Sequence, residues 1–205
     1  MVPSYRLGRW PLTQETLLRE IKKSSWSPPV SRRLGEFVYR VQRHAGIISN
    51  IMDKTEQYLE DLKSEDPAIR EHATRELWIL WHSQAGPERE RELNEATRLM
   101  DRQQHDQALE MFQALVEKCP DFAEAHNKLA TLLFMMDQFE ESVIECEEVL
   151  RRIPHHFGAL NGMGLCLYDL QRYEEAIPYF QKALEIQPYA MNNLTYIARC
   201  RANLN

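Results

Sequence analysis

The chain has 205 residues, 43% of them hydrophobic and 27% charged, with a formal net charge of −6. That supplies a core, but no apolar run approaches the ~18 residues of a membrane span. The four cysteines (Cys119, Cys146, Cys166, Cys200) form no Cys-x2-Cys pair, which argues against a thiolate zinc site or disulfide framework and for reduced thiols in an intracellular setting.

Charge is unevenly distributed. Residues 1–45 hold nine Lys/Arg against three Asp/Glu, and the remaining 160 hold sixteen against twenty-eight. Such a basic segment either meets an acidic partner, nucleic acid or membrane surface, or packs on the acidic remainder of its own chain. Residues 1–14 contain Arg6, Arg9 and no acid. No continuous apolar stretch comes after them, so a secretory signal is not expected. The expected location is soluble and intracellular, with cytoplasm and organelle interior (chloroplast or mitochondrion) both open.

Thr13 can cap a helix running to Lys23, with Leu17, Leu18 and Ile21 on one face. Ser24–Pro29 breaks it, since Pro28-Pro29 cannot sit inside a helix. Leu34, Val38, Val41, Ala45, Ile48, Met52, Thr55, Leu59 and Leu62 then advance by alternating fours and threes, a seam of period 3.5. Gly35 and Gly46 disfavour a free-standing coil, and Phe37, Ile47 and Ile51 widen the stripe. The segment is therefore a long helix that either lies along its own chain or binds a partner or second copy. Asp66-Pro67 opens another helix with the stripe Ile69, Ala73, Leu77, Leu80 and Trp81, ended by Gly86-Pro87. With Trp78 beside the stripe, this helix is expected to cap the segment that begins at residue 89.

From residue 89 onward the sequence repeats. Pro120, Pro154 and Pro188 fall 34 residues apart, closing segments 89–122, 123–156 and 157–190. The third carries Leu160, Met163, Gly164, Leu167, Tyr173, Ala176, Phe180, Ala183 and Pro188; the second carries His126, Leu129, Ala130, Leu133, Phe139, Ser142, Cys146, Val149 and Pro154. The first carries Ala96, Leu99, Ala108, Phe112, Leu115 and Pro120, with Glu92 and Glu95 where large apolar residues are usual. The pattern resembles the tetratricopeptide repeat (TPR), a helix–turn–helix unit that stacks into a solenoid. It implies an all-α fold: three helix pairs, a capping helix over 191–203 wetted by Asn192, Asn193, Arg199, Arg201 and Asn203, and a helical N-terminal extension. Boundaries are expected at 1–65 (basic extension), 66–86 (N-terminal cap on the first repeat) and 87–205 (solenoid), with the first helix of the first repeat rotated or irregularly covered.

The resemblance implies a concave groove lined by the first helix of each pair. Carried over by position, its partner-binding candidates are Leu93, Asn94 and Met100; Asn127, Lys128, Thr131, Phe134 and Met135; Asn161, Leu165 and Tyr168; and Tyr196 and Arg199. Asn127 and Asn161 are expected to stack as an amide ladder, with Phe134, Met135, Tyr168 and Tyr196 forming apolar pockets. An N-terminal helix filling this groove in cis is the alternative. Chaperone-docking family members hold a terminal carboxylate in a Lys/Asn/Arg clamp; the matching places here are Leu93, Thr97, Lys128, Gly158 and Gly162, so docking of an Hsp70 or Hsp90 tail is not expected.

No catalytic motif, phosphate-cradling loop or metal-ligand spacing is present, and His155-His156 reads as a solvated turn. The expectation is a non-enzyme without cofactor or metal: an adaptor binding a client protein's peptide or helix. The alternative is a structural subunit of a larger assembly, with or without nucleic acid, anchored by the basic N-terminal helices. A nucleic-acid role would rest on Arg6, Arg9, Lys22, Lys23, Arg32, Arg33, Arg40 and Arg43 beside Trp10 and Trp26; the apolar faces between those charges favour protein contact.

Overall fold

The computed structural model describes residues 52–204. The expected helix over 13–23, the break at 24–29, the basic cluster and the seam from Leu34 to Ile51 lie outside them. A helix covers 52–61 (α1). After it come α2 (Pro67–Ser83), α3 (Pro87–Asp101), α4 (His105–Lys118), α5 (Ala123–Met135), α6 (Phe139–Arg152), α7 (Phe157–Asp169), α8 (Tyr173–Ile186) and α9 (Met191–Leu204). No strand occurs among the described residues. The fold is an all-α solenoid in which α3/α4, α5/α6 and α7/α8 are successive pairs and α9 packs on α8.

Two punctuation devices recur every 34 residues. Before each repeat-closing proline, the last helix ends on an extended residue: Cys119, Ile153 and Gln187 have φ of −136°, −131° and −121°. Proline disfavours helical geometry in the residue before it. Within each pair, the turn passes through a left-handed residue, Gln103, Asp137 or Gln171, with φ of 61°, 58° and 59°. The next residue's N–H then reaches back to the carbonyl of Leu99, Leu133 or Leu167, satisfying groups the helix end would leave open. α2 starts as its sequence dictates, with Pro67 in the first turn and the Asp66 carboxylate accepting from the Ala68 N–H at 2.8 Å.

Small residues sit where helices approach closely. Ala96, Ala108, Ala130, Ser142 and Ala176 are buried, and a Cβ on Gly164 would meet the Phe180 ring at 2.6 Å. In the first repeat the buried face is Leu93, Ala96 and Met100, rotated off the places where Glu92 and Glu95 stand. Glu92 is drawn to the helix edge by Arg89 (2.7 Å) and by Lys118 of α4 (2.9 Å).

Two expectations need correction. α2 does not cap the first repeat: Ala73, Leu77 and Trp81 pack with Leu62 on Ala123, Val149, Ile153, Phe157 and Ala159, the shelf where the second repeat passes into the third. Its aromatic stripe finds flat partners there, with Trp81 stacked on His156 at 4.1 Å and Trp78 edge-on to Phe157. Asn193, expected to wet the closing helix, is buried and accepts a 2.6 Å hydrogen bond from the Asn161 amide.

Candidate functional site

The first helices of the pairs bring some of the expected groove residues together and withdraw others. Leu93 and Met100 belong to the core of the first repeat, the consequence of that helix's rotation, so neither offers a surface to a ligand. Asn94, Thr131, Met135 and Arg199 are exposed, whereas Lys128, Phe134, Asn161, Leu165, Tyr168 and Tyr196 are half-buried. Tyr168 and Tyr196 meet edge-on at 5.2 Å, and the Arg199 guanidinium lies 5.3 Å from the Tyr196 ring centre. The hydrogen bonds of Asn127 and Asn161 do not form the expected ladder. Asn127 is buried and donates to Glu124 (3.2 Å), while Asn161 is held by Asn193.

Between α5 and α7 a cleft of about 180 Å³ remains, walled by Asn127, Thr131, Phe134, Asn161 and Leu165 and opened by Gly158 and Gly162. Ser142 and Cys146 of α6 form its floor. The Cys146 thiol is pushed well above its ordinary value by its hydrogen bond with Cys166 and by burial, so the floor is uncharged. At the C-terminal ends of α5 and α7 stand Asp137 and Asp169. Burial and the nearby Asp137 charge together raise the Asp169 carboxyl.

The opposite end of the cleft is closed by α2. Trp78 covers Gly158 so closely that a Cβ there would meet its ring at 2.8 Å. Beneath it Glu124 is fully buried, surrounded by Lys128 Nζ (3.8 Å), His82 Nε2 (3.6 Å) and His156 Nε2 (3.2 Å). His156 Nδ1 accepts from the Ala159 N–H at 3.0 Å, capping α7; that fixes the ring proton on Nε2, which donates to Glu124. His82 Nδ1 in turn lies 2.9 Å from the Trp78 carbonyl oxygen. His156 is thus no solvated turn residue: capping α7 and pairing with Glu124 draw it inside. Sequence reasoning missed this cluster; the one available signal was Trp78 and Trp81, three apart on a helix that also carries His82.

Among the described residues no group of three or more His, Cys, Asp or Glu side chains is arranged to hold a metal ion, and no helix is long and apolar enough to cross a membrane.

Tetratricopeptide-repeat family models match residues 93–156 and 158–189. These two stretches are tetratricopeptide repeats. Such repeats make a protein–protein interaction module. Among solved structures, the TPR chain is similar to the first TPR of Spaghetti (RPAP3) bound to an HSP90 peptide, with 16% identity and a TM-score of 0.54 over 55% of this chain and 90% of that one. It is similar also to the Arabidopsis OM64 TPR domain (17%, TM-score 0.54, 59% and 98%) and to MamA (20%, TM-score 0.54, 56% and 67%). At these identities the likeness is one of fold. A comparison with curated proteins by sequence finds no match.

Proposed function

We propose that this TPR chain is an adaptor whose concave groove holds a segment of a client protein, through the part of the groove that α2 leaves open. The observation that carries this reading is the division of the groove. Trp78 covers Gly158, and Lys128 is tied to Glu124, while Thr131 and Met135 stay exposed and Phe134, Leu165 and Tyr168 half-exposed on the first helices of consecutive repeats. Aromatic and methionine side chains beside amides are the composition of protein-binding hot spots.

The same division disfavours a terminal-carboxylate clamp, although one similar domain is bound to an HSP90 peptide and another, from yeast Sti1, is in a complex with pHsp70. At the clamp-matching places Leu93 is core, Thr97 donates to its own helix at the Leu93 carbonyl, and Gly158 lies under Trp78. In this reading residues 1–65 are a basic extension, 66–86 a brace, and 87–205 the binding solenoid.

The test is capture from the native source with the full chain, read by mass spectrometry. The triple variant Thr131→Ala/Met135→Ala/Tyr168→Ala is expected to lose the captured clients. A control changed on the outer helices, Glu140→Ala/Glu147→Ala, is expected to keep them. Clients retained equally by both variants would refute the groove.

A further inference from the structure

The groove reading leaves the client's chemistry open, and the cleft between α5 and α7 narrows it. Resting on that reading, we propose that the cleft takes one apolar side chain of a basic client segment, seated between Phe134 and Leu165, with a neighbouring Lys or Arg of the client over Asp137 and Asp169.

Three observations converge. First, a cleft of about 180 Å³ has room for one side chain of leucine or methionine size, and small apolar clefts are where single anchors bind tightly. Its depth comes from Gly162: a Cβ there would touch only the Cys146 sulfur, at 3.4 Å, so the missing side chain is what opens the wall. Second, the floor is uncharged, because the Cys146 thiol is held protonated by Cys166 and by burial. A charged side chain placed there would lose its hydration without a partner.

Third, about one helical turn beyond Phe134 and Leu165 of the cleft the surface is negative and uncompensated. Asp137 and Asp169 stand close enough for one charge to act on the other. Among the described residues neither has a cationic partner. Both also lie at helix C-termini, where the backbone dipole adds further negative potential. A client cation relieves both repulsions, and Trp78 covers the end of the cleft away from these carboxylates. Residues 46–205 carry sixteen basic against twenty-eight acidic residues, so the wider field steers the same kind of ligand.

The experiment pans a displayed library of random linear peptides on the full chain, then measures the selected peptides by fluorescence anisotropy at low and high salt. The expected consensus is an apolar residue within a few positions of a Lys or Arg. Gly162→Leu fills the cleft from a position with space for it and is expected to weaken binding by about tenfold or more. Asp137→Asn/Asp169→Asn is expected to weaken it several-fold and to flatten its salt dependence. Circular dichroism checks that each variant is folded, and Gly162→Ala is the milder second variant, expected to weaken binding in the same direction.

Selection of acidic peptides overturns the proposal, as does a dimer in sedimentation that Gly162→Leu dissolves, since each assigns the cleft another occupant. If Gly162→Leu and Asp137→Asn/Asp169→Asn have no effect but the triple groove variant abolishes binding, the cleft assignment fails and the groove reading stands. If the triple variant also binds normally, or no peptide is selected, both fail.

Discussion

Two glycines in one helix, two residues apart, have opposite duties. Gly164 is buried with the Phe180 ring where a Cβ would stand, at 2.6 Å, while Gly162 faces the cleft with a Cys146 contact at 3.4 Å. Gly164→Ala is therefore expected to destabilise the fold by about 1–3 kcal/mol through overpacking. Gly162→Ala is expected to stabilise it by up to ~1 kcal/mol, the ordinary helical preference for alanine. Urea denaturation midpoints of the two variants check this, and shifts in the same direction would contradict the assignment. Only one of these roles could be read from sequence. The place of Gly164 in the 34-residue pattern marks a close approach, but nothing in the sequence says that Gly162 opens a cleft onto a thiol.

At the scale of the element, the turns repeat more faithfully than the helices. Gln103, Asp137 and Gln171 all take left-handed backbone near φ 60°, a region that side-chain-bearing residues enter at a cost and glycine enters freely. Gln103→Gly and Gln171→Gly are each expected to raise stability by about 0.5–1 kcal/mol, read as a higher melting midpoint, and a lowered midpoint would mean the turn side chains contribute more than the backbone relief. The start of α2 and the ends of the second helices were legible in the sequence because the cap at Asp66 and the prolines at 67, 120, 154 and 188 act locally. The rotation of α3 was only half legible. Glu92 and Glu95 signalled a departure, but its direction depends on Arg89 and on Lys118, a residue 26 positions further along. The walls of the cleft between α5 and α7 were legible as a set of positions rather than as a surface. Asn127 and Asn161 kept their expected places, yet their amides are engaged by Glu124 and Asn193, partners that no periodicity announces.

For the described molecule as a whole, the brace α2 changes which parts support one another. A plain repeat array is stabilised by nearest neighbours alone, and opening begins at its ends. Here Leu77 and Trp81 bury against Ile153 and Phe157, Arg70 lies over the Tyr189 ring at 4.0 Å, and Gln187 reaches Thr74. Substituting Leu77 and Trp81 with alanine is expected to lower amide-exchange protection chiefly over residues 149–159, leaving 105–118 in the first repeat nearly unchanged. Loss concentrated in the first repeat would instead restore the cap on that repeat that the sequence suggested. The position of α2 was hidden from sequence reasoning because an aromatic stripe specifies that a face is buried, not which shelf receives it. The reach of this brace also bears on biosynthesis. Thr74 and Gln187 are 113 residues apart in the chain, so α2 leaves the ribosome long before its docking surface is made. At about 5–20 residues per second, its tryptophan-bearing face waits roughly 4–15 seconds for Phe157, the partner of Trp81, to follow. During that interval the nascent chain presents an unsatisfied hydrophobic helix, the kind of segment that holdase chaperones bind and that aggregates when they are scarce.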